Sequence, residues 1–246
     1  MDKSIELTAI ADFPLVQSGD NLAEMIGCFP LLDGDILVIA QKVVSKAEGR
    51  MVALSSVTPS TQALQLAAKV DKDPRMVELI LAESAEIVRA LPGLLIVRHR
   101  LGFTLANAGI DASNLGAADH VLLLPEAPDQ SAKKLRSGIK EATGKEVGVI
   151  ISDSWGRPWR LGTVGIAIGV AGLPAVIDLL GQPDIDGRLL QATSIAIADE
   201  LAAAASILMG QANEGTPVIV IRGLSLSSET DSAEQLVRPI DDDVFQ

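Results

Sequence analysis

The chain has 246 residues, 48% hydrophobic and 21% charged, a soluble globular mix long enough for one large core or two small ones. Its formal charge of −12 argues against nonspecific binding to nucleic acid or an anionic membrane, both of which need a basic footprint. One Cys and two His exclude an internal disulfide framework and a Cys-cluster metal site, so a bound metal would need oxygen ligands, which favours Mg²⁺, Mn²⁺ or Ca²⁺ over Zn²⁺.

In chain order, the apolar run 35–40 (DILVIA) predicts a buried strand, and 61–70 (TQALQLAAKV) has helical spacing. Residues 74–91 predict one helix, with Pro74 just inside its start where the missing N–H costs nothing. Strands are expected at 94–98 (LLIVR), 120–125 (HVLLLP), 147–153 (VGVIISD) and 217–223 (PVIVIRG), with a helix at 129–143. A long Ala-rich helix is expected from near Leu189 to Gly210, either a core helix or a subunit contact. Strands alternating with helices give an α/β (α+β) fold with sites at strand ends, the topology left open. One module over 1–246 is expected, with any subdomain boundary unplaced and a polar, acidic tail at 225–246. No run of about 18 apolar residues and no secretory h-region is present, so a cytoplasmic protein is expected.

Four stretches combine the residue types that chemistry needs. AQKVVSKAEGR (40–50) offers Gln41, Lys42, Ser45 and Lys46 after a strand, donors suited to phosphate oxygens but without Walker A spacing; a solvated turn is the plain alternative. GFTLANAGIDASN (102–114) is either an Asx-turn loop or a site with Asp111 as a metal ligand and Asn114 as a donor or acceptor. SDSWGRPWR (152–160) reads as a strand end running into a Gly/Pro turn. Asp153 is its second carboxylate, Ser154 adds a hydroxyl, and Arg157 and Arg160 can grip carboxylate or phosphate. Trp155 and Trp159 are either ring-stacking walls or packing. MGQANEGTP (209–217) is a helix cap and loop, or a nucleotide contact bearing Glu214. His99 and His120 lie in or beside apolar strands without a ligand-spaced partner and are read as structural.

Taken together and in order, DGDILVIAQKVVSKAEGR, VELILAESAEIVR, RHRLGFTLANAGIDASN, LLLPEAPDQSAKKLR, VGVIISDSWGRPWRLG, the stretch from DIDGRLL to ANEGTPV, and VIRGL resemble the F420-0:gamma-glutamyl ligase family over about residues 12–224. The resemblance implies an intertwined homodimer of a family-specific α/β fold that uses GTP, Mn²⁺ or Mg²⁺, and K⁺ as a helper. It implies Asp111 and Asp153 as metal ligands, with Ser154 where the family usually has threonine, and Trp155 where it often has phenylalanine. It implies nucleotide contacts at Gln41, Lys42, Lys46 and Asn114, at Asp12, Phe13, Pro14 and Leu15, and over the loop Met209, Gly210, Gln211, Ala212, Asn213, Glu214, Gly215 and Thr216. Gln211 or Glu214 is a further metal candidate. In some bacteria the module is fused to a flavin-reductase-like domain, which a chain of 246 residues is expected to lack.

The implied reaction joins the amine of L-glutamate to the lactyl carboxylate of the deazaflavin precursor F420-0, through an acyl phosphate, with further γ-linked glutamates as an extension. All reactants are anionic, so metal and Lys or Arg must offset their repulsion. Arg157 and Arg160 are assigned, from chemistry alone, to the acceptor carboxylate or the precursor's phosphodiester. The competing readings are another metal-dependent nucleotide-driven amide ligase or phosphohydrolase, and a non-catalytic nucleotide or deazaflavin binding module.

Overall fold

The structure is a computed structural model and describes residues 4–115, 119–227 and 232–242. The acidic tail expected at 225–246 therefore falls in part, at 228–231 and 243–246, outside the described residues. In chain order the elements are β1 (Glu6–Ala9), α1 (Leu22–Gly27), β2 (Ile36–Ala40), α2 (Gln41–Ala47), β3 (Met51–Ala53), α3 (Thr61–Val70), α4 (Pro74–Glu83), β4 (Ser84–Leu91) and β5 (Leu94–His99). They continue as β6 (Thr104–Ala106), β7 (His120–Leu122), α5 (Pro128–Thr143), β8 (Gly148–Arg157), β9 (Arg160–Ala171), β10 (Ile177–Asp178), β11 (Ser194–Ile195), α6 (Ile197–Met209) and β12 (Val218–Arg222). This is the mixed α/β content expected from the sequence, and among the described residues no helix is long and apolar enough to cross a membrane.

The main sheet has the order β1-β12-β2-β8-β9, with β2 and β8 parallel and the other pairs antiparallel. Its central strands are continuous aliphatic runs because both faces are covered: Leu37, Val38 and Ile39 and their neighbours Val149, Ile150 and Ile151 are fully buried. At the outer edge, α5 and α6 sit directly on β9, since a Cβ on Gly165 or Gly169 would run into the backbone of Ala202 or Pro128. Carboxylates from the first turns of those helices take two of the edge strand's amides. Asp199 accepts from the Ala167 N–H at 2.9 Å and Asp129 from the Val170 N–H at 2.8 Å.

A second hydrophobic cluster, separate from the main core, joins α3 and α4 to β5 through Ala63, Ala67, Val70, Val77, Ile80, Leu95, Val97 and Ala108. Here the expected single helix 74–91 divides. The Asp73 side chain caps α4 at the Arg75 N–H, α4 ends at Glu83, and residues 84–91 pair with β5 as β4. The β-branched pair Ile87 and Val88 suits a strand, and the ladder with β5 overrides the helical spacing that continues past Glu83. The long helix expected from Leu189 likewise starts only at Ile197, after the short β10–β11 pair. Strand 120–125 shortens to β7, and residues 41–47 form α2 rather than a turn.

Glu83, at the end of α4, is 8% exposed and ties this second cluster to the rest of the molecule. Its Oε2 accepts from Arg50 at 3.1 Å and Arg100 at 3.2 Å and lies 3.4 Å from His99 Nε2. His99 Nδ1 accepts the Leu101 N–H at 3.0 Å, which leaves the ring proton on Nε2, facing the carboxylate. Burial alone would raise the Glu83 pKa, but His99, Arg50 and Arg100 outweigh it and hold the carboxyl at about 2. A folded-state pKa below the ordinary 4.5 means stability that is present above pH 4.5 and is lost as pH falls through about 2. Glu83→Gln is therefore expected to cost about 3 kcal/mol at pH 7, with the gap to wild type closing between pH 4.5 and pH 2 in urea unfolding. A gap independent of pH would contradict the ion cluster as its source.

Candidate active site

The topology brings four separate stretches to one end of the main sheet. Parallel pairing sets Ala40, the last residue of β2, opposite Ser152 of β8, so Gln41 and Asp153 leave that register side by side. Antiparallel β12 begins at the same end, where Ala40 donates to the Pro217 carbonyl at 2.8 Å, and the segment after β1 arrives there through Ile10 N–H to Val218 O at 3.0 Å. The carboxyl ends of parallel strands are the usual crevice of an α/β sheet. Gln41, Asp153, the loop that leads into β12 and the segment that follows β1 thus come to one end of the sheet from distant parts of the sequence.

The fifth stretch enters from the second cluster. Three successive residues, Asn107, Ala108 and Gly109, have φ of 54°, 54° and 69°. An L-residue such as Ala108 in the left-handed region costs about 1–2 kcal/mol, and its methyl group is fully buried in the second cluster. That turn delivers Asp111, whose Oδ2 lies 2.7 Å from Lys42 Nζ, while its Oδ1 accepts from the Ser113 N–H at 2.7 Å and the Ser113 hydroxyl at 2.8 Å. Lys42 also donates to Ser113 Oγ at 2.8 Å. Burial alone would raise the Asp111 pKa, but these bonds hold it below the ordinary carboxylate value.

One turn along α2, Lys46 donates to the Asn114 carbonyl at 3.0 Å, and Asn114 Nδ2 donates to the Ala212 carbonyl at 2.9 Å. Loop 111–114 is thereby clamped between α2 and the loop after α6. Burial and the charge of Lys42 lower the Lys46 pKa, with Asp111 opposing them, so the paired ammoniums lack full compensation. Gln41 is buried, its Oε1 accepting from Ser45 Oγ at 2.9 Å while its Nε2 has no acceptor among the described residues.

Asp153 is held by its own strand: Oδ1 accepts the Ser154 N–H and Oδ2 the Trp155 indole Nε1–H, each at 2.8 Å. Trp155 is fixed in turn by Phe103, with ring centroids 5.2 Å apart. Burial pushes Asp153 up to about 6, and the negative charge of Asp111 adds to that, against the Trp155 and Ser154 bonds and the charge of Lys42. The indole N–H is a role the sequence did not reveal, since Trp155 there was only a wall or a plug.

Other expected residues lie apart or are engaged locally. The strand does not end at Asp153: β8 runs on to Arg157, and the Pro158–Trp159 turn leads into β9, with Trp159 in the left-handed region at φ 65°. Arg157 lies four positions along the strand from Asp153, roughly 13 Å at ordinary strand rise, and it pairs in register with Arg160 at the hairpin tip. The hairpin holds because Trp155 and Gly156 find partners in Val164 and Thr163. Trp159 is 87% exposed. In the loop after α6, Glu214 folds back to accept the Ala212 N–H at 2.8 Å, and Thr216 Oγ1 donates to the Leu208 carbonyl at 2.9 Å, both local caps. Gln211 and Asn213 are exposed, Phe13 stacks on Phe29, and Leu15 is exposed.

As a metal site the arrangement offers hard oxygen donors from Asp111 and Asp153. Among the described residues no third His, Cys, Asp or Glu joins them. Two carboxylates are too few to enclose Ca²⁺ but fit Mg²⁺ or Mn²⁺, which take the rest of their coordination from phosphate oxygens and water. Burial is the main cause of the raised Asp153 pKa and the charge of Asp111 adds to it, so a cation beside Asp153 would favour its charged form.

The model of the family described as F420-0:Gamma-glutamyl ligase matches residues 11–223. A protein of Methanothermobacter thermautotrophicus named coenzyme F420:L-glutamate ligase is 48% identical over 253 aligned positions, covering 98% of this chain and 99% of its own length. Proteins of the same name from Methanocaldococcus jannaschii and Archaeoglobus fulgidus are 46% and 43% identical, covering 96% and 98% of this chain and 94% and 96% of their own lengths.

Trp155→Phe keeps the ring on Phe103 but deletes the donor to Asp153. Because that bond favours the charged carboxylate, the variant's Asp153 is expected to titrate above the wild-type value of about 6 in carboxyl NMR of metal-free protein. An unchanged titration would show that the indole does not govern this group.

Proposed function

The chain belongs to the F420-0:gamma-glutamyl ligase family, and on that premise we propose that it joins L-glutamate to the terminal lactyl carboxylate of coenzyme F420-0 at the expense of GTP. The observation that carries this reading is the convergence of Lys42, Lys46, Asp111 and Asp153 at one end of the main sheet. Two ammoniums and two carboxylates in one crevice are what a reaction among polyanions requires: cations for phosphate oxygens and ligands for a divalent metal.

Lys42 and Lys46 take phosphate oxygens of GTP, and Gln41 supplies its free amide N–H to the same ligand. Asn114 and the segments Asp12–Leu15 and Met209–Thr216 form the walls of that site. Asp111 and Asp153, with Ser154 beside them, hold Mn²⁺ or Mg²⁺, whose contribution when bound is to neutralise charge on the phosphate oxygens. An oxygen of the acceptor carboxylate attacks the γ-phosphorus and GDP leaves. The glutamate amine then attacks the acyl phosphate carbon, loses a proton, and expels inorganic phosphate. With Arg157 and Arg160 at the hairpin tip, roughly 13 Å along the strand from Asp153, we assign them to the precursor's phosphodiester rather than to the reacting carboxylate. K⁺ enters the proposal on family resemblance, as does the homodimer. The exposed Trp159, Leu161, Ile185 and Leu189 on the β8–β9 hairpin and the segment 179–193 support a subunit contact there.

Mass spectrometry of products from protein, GTP, Mn²⁺, L-glutamate and F420-0 is expected to show added glutamyl units, with multiple-turnover GDP formation only when both acceptor and glutamate are present and no more than one GDP per site with the acceptor alone. GDP release independent of them would indicate a phosphohydrolase, and binding without turnover a non-catalytic module. Asp153→Ala is expected to lose at least about 100-fold in ligation while remaining folded, and Lys46→Ala to weaken GTP binding about tenfold. Full activity in the first would refute the metal role, and unchanged GTP affinity in the second would refute the phosphate contact.

A further inference from the structure

Arg50 stands behind the crevice, outside the groups assigned to nucleotide and metal, yet its bonds lead to one of them. Asp111 and Leu122 exchange both backbone hydrogen bonds, Asp111 N–H to Leu122 O at 3.0 Å and Leu122 N–H to Asp111 O at 2.8 Å. The next two residues of that segment are held by Arg50. Its carbonyl accepts the Leu123 N–H at 3.1 Å, and its Nε donates to the Leu124 carbonyl at 2.9 Å. Leu124 presses on the turn before Asp111 from the other side, since a Cβ on Gly109 would lie 2.9 Å from its side chain. The far end of the guanidinium, Nη2, is anchored on Glu83 Oε2 at 3.1 Å, with Glu126 3.6 Å from Nη1.

We infer that Arg50 is a positioning residue for Asp111, carrying the fixed position of Glu83 through the Leu124 carbonyl to the backbone that bears the carboxylate. The inference rests on the proposed role of Asp111 as a metal ligand. It requires arginine specifically, because the planar fork reaches a carbonyl through Nε and a carboxylate through Nη2 at once. A lysine has a single ammonium and can keep the pair with Glu83 only by giving up the carbonyl. The buried ion pair and the positioning of Asp111 are therefore separable by substitution.

Arg50→Lys and Arg50→Met, compared with wild type below their unfolding temperatures, separate the two. Three measurements apply: thermal unfolding, Mn²⁺ binding from the electron paramagnetic resonance signal of free Mn²⁺, and amide exchange at Leu122 without metal. Arg50→Lys is expected to unfold near the wild-type temperature yet bind Mn²⁺ about tenfold more weakly, the usual loss when support of a metal ligand is removed, with Leu122 exchanging faster. Arg50→Met is expected to lose stability as well. Lysine at this position with wild-type Mn²⁺ affinity and wild-type Leu122 protection would overturn the inference, whatever its unfolding temperature. Wild-type protein that binds no Mn²⁺ would remove the metal reading of the site, and Leu122 exchange would still decide whether Arg50 holds the Asp111 backbone.

Discussion

Parallel pairing of β2 with β8 is the constraint on which the chemistry depends. Two strands running the same way end at the same edge, so whatever follows each is delivered to one place. After β2 the chain turns at once into α2, with no side-chain cap at Ala40 and its lysines one turn apart at 42 and 46. β8 continues instead, and its Asp153 is reached from the side while still in the strand. The aliphatic runs of these two strands are buried on both faces, so a polar substitution at any of Leu37–Ile39 or Val149–Ile151 would leave an unpaired group in the core.

A balance of charge within a largely acidic protein follows from that geometry. Lys42 pairs with Asp111, and Lys46 takes only a carbonyl, so it keeps capacity for an anionic ligand. Asp153 has hydrogen-bond donors but no direct cationic partner among the described residues, and burial raises its pKa. An anion beside Lys46 and a cation beside Asp153 would each offset one of these imbalances.

The second hydrophobic cluster contributes more than bulk. It sets the left-handed turn at Asn107–Gly109 and presents Asp111 toward α2, and it is tied to the main body by the ions around Glu83. Buried ion clusters are weak devices for stability as such, since the desolvation cost of the charges offsets much of their attraction. Their value here lies in direction: a guanidinium fork fixes two bonds at a set angle, which aliphatic packing does not.

Local pattern was enough for the α/β class, the main strands near 35–40, 147–153 and 217–223, the helix at 61–70 to the residue, and the stretches on which the candidate site draws. Those features are local: uninterrupted aliphatic runs, a capping serine before Thr61, and polar residue types that have few other uses at strand ends. The division of 74–91 into helix and strand was decided by a partner strand, β5, that local spacing does not see. So was the extension of β8 past Asp153, which required β9, a strand whose three glycines hid it until α5 and α6 were in place to exploit them. The indole bond to Asp153, the clamp from Lys46 through Asn114 to Ala212, and the path from Glu83 to Asp111 join residues by contacts that no window of sequence contains. Propensity and pattern act within a few residues, whereas the position of a carboxylate to within an ångström is fixed by bonds between segments distant in sequence, and only the tertiary structure brings those together.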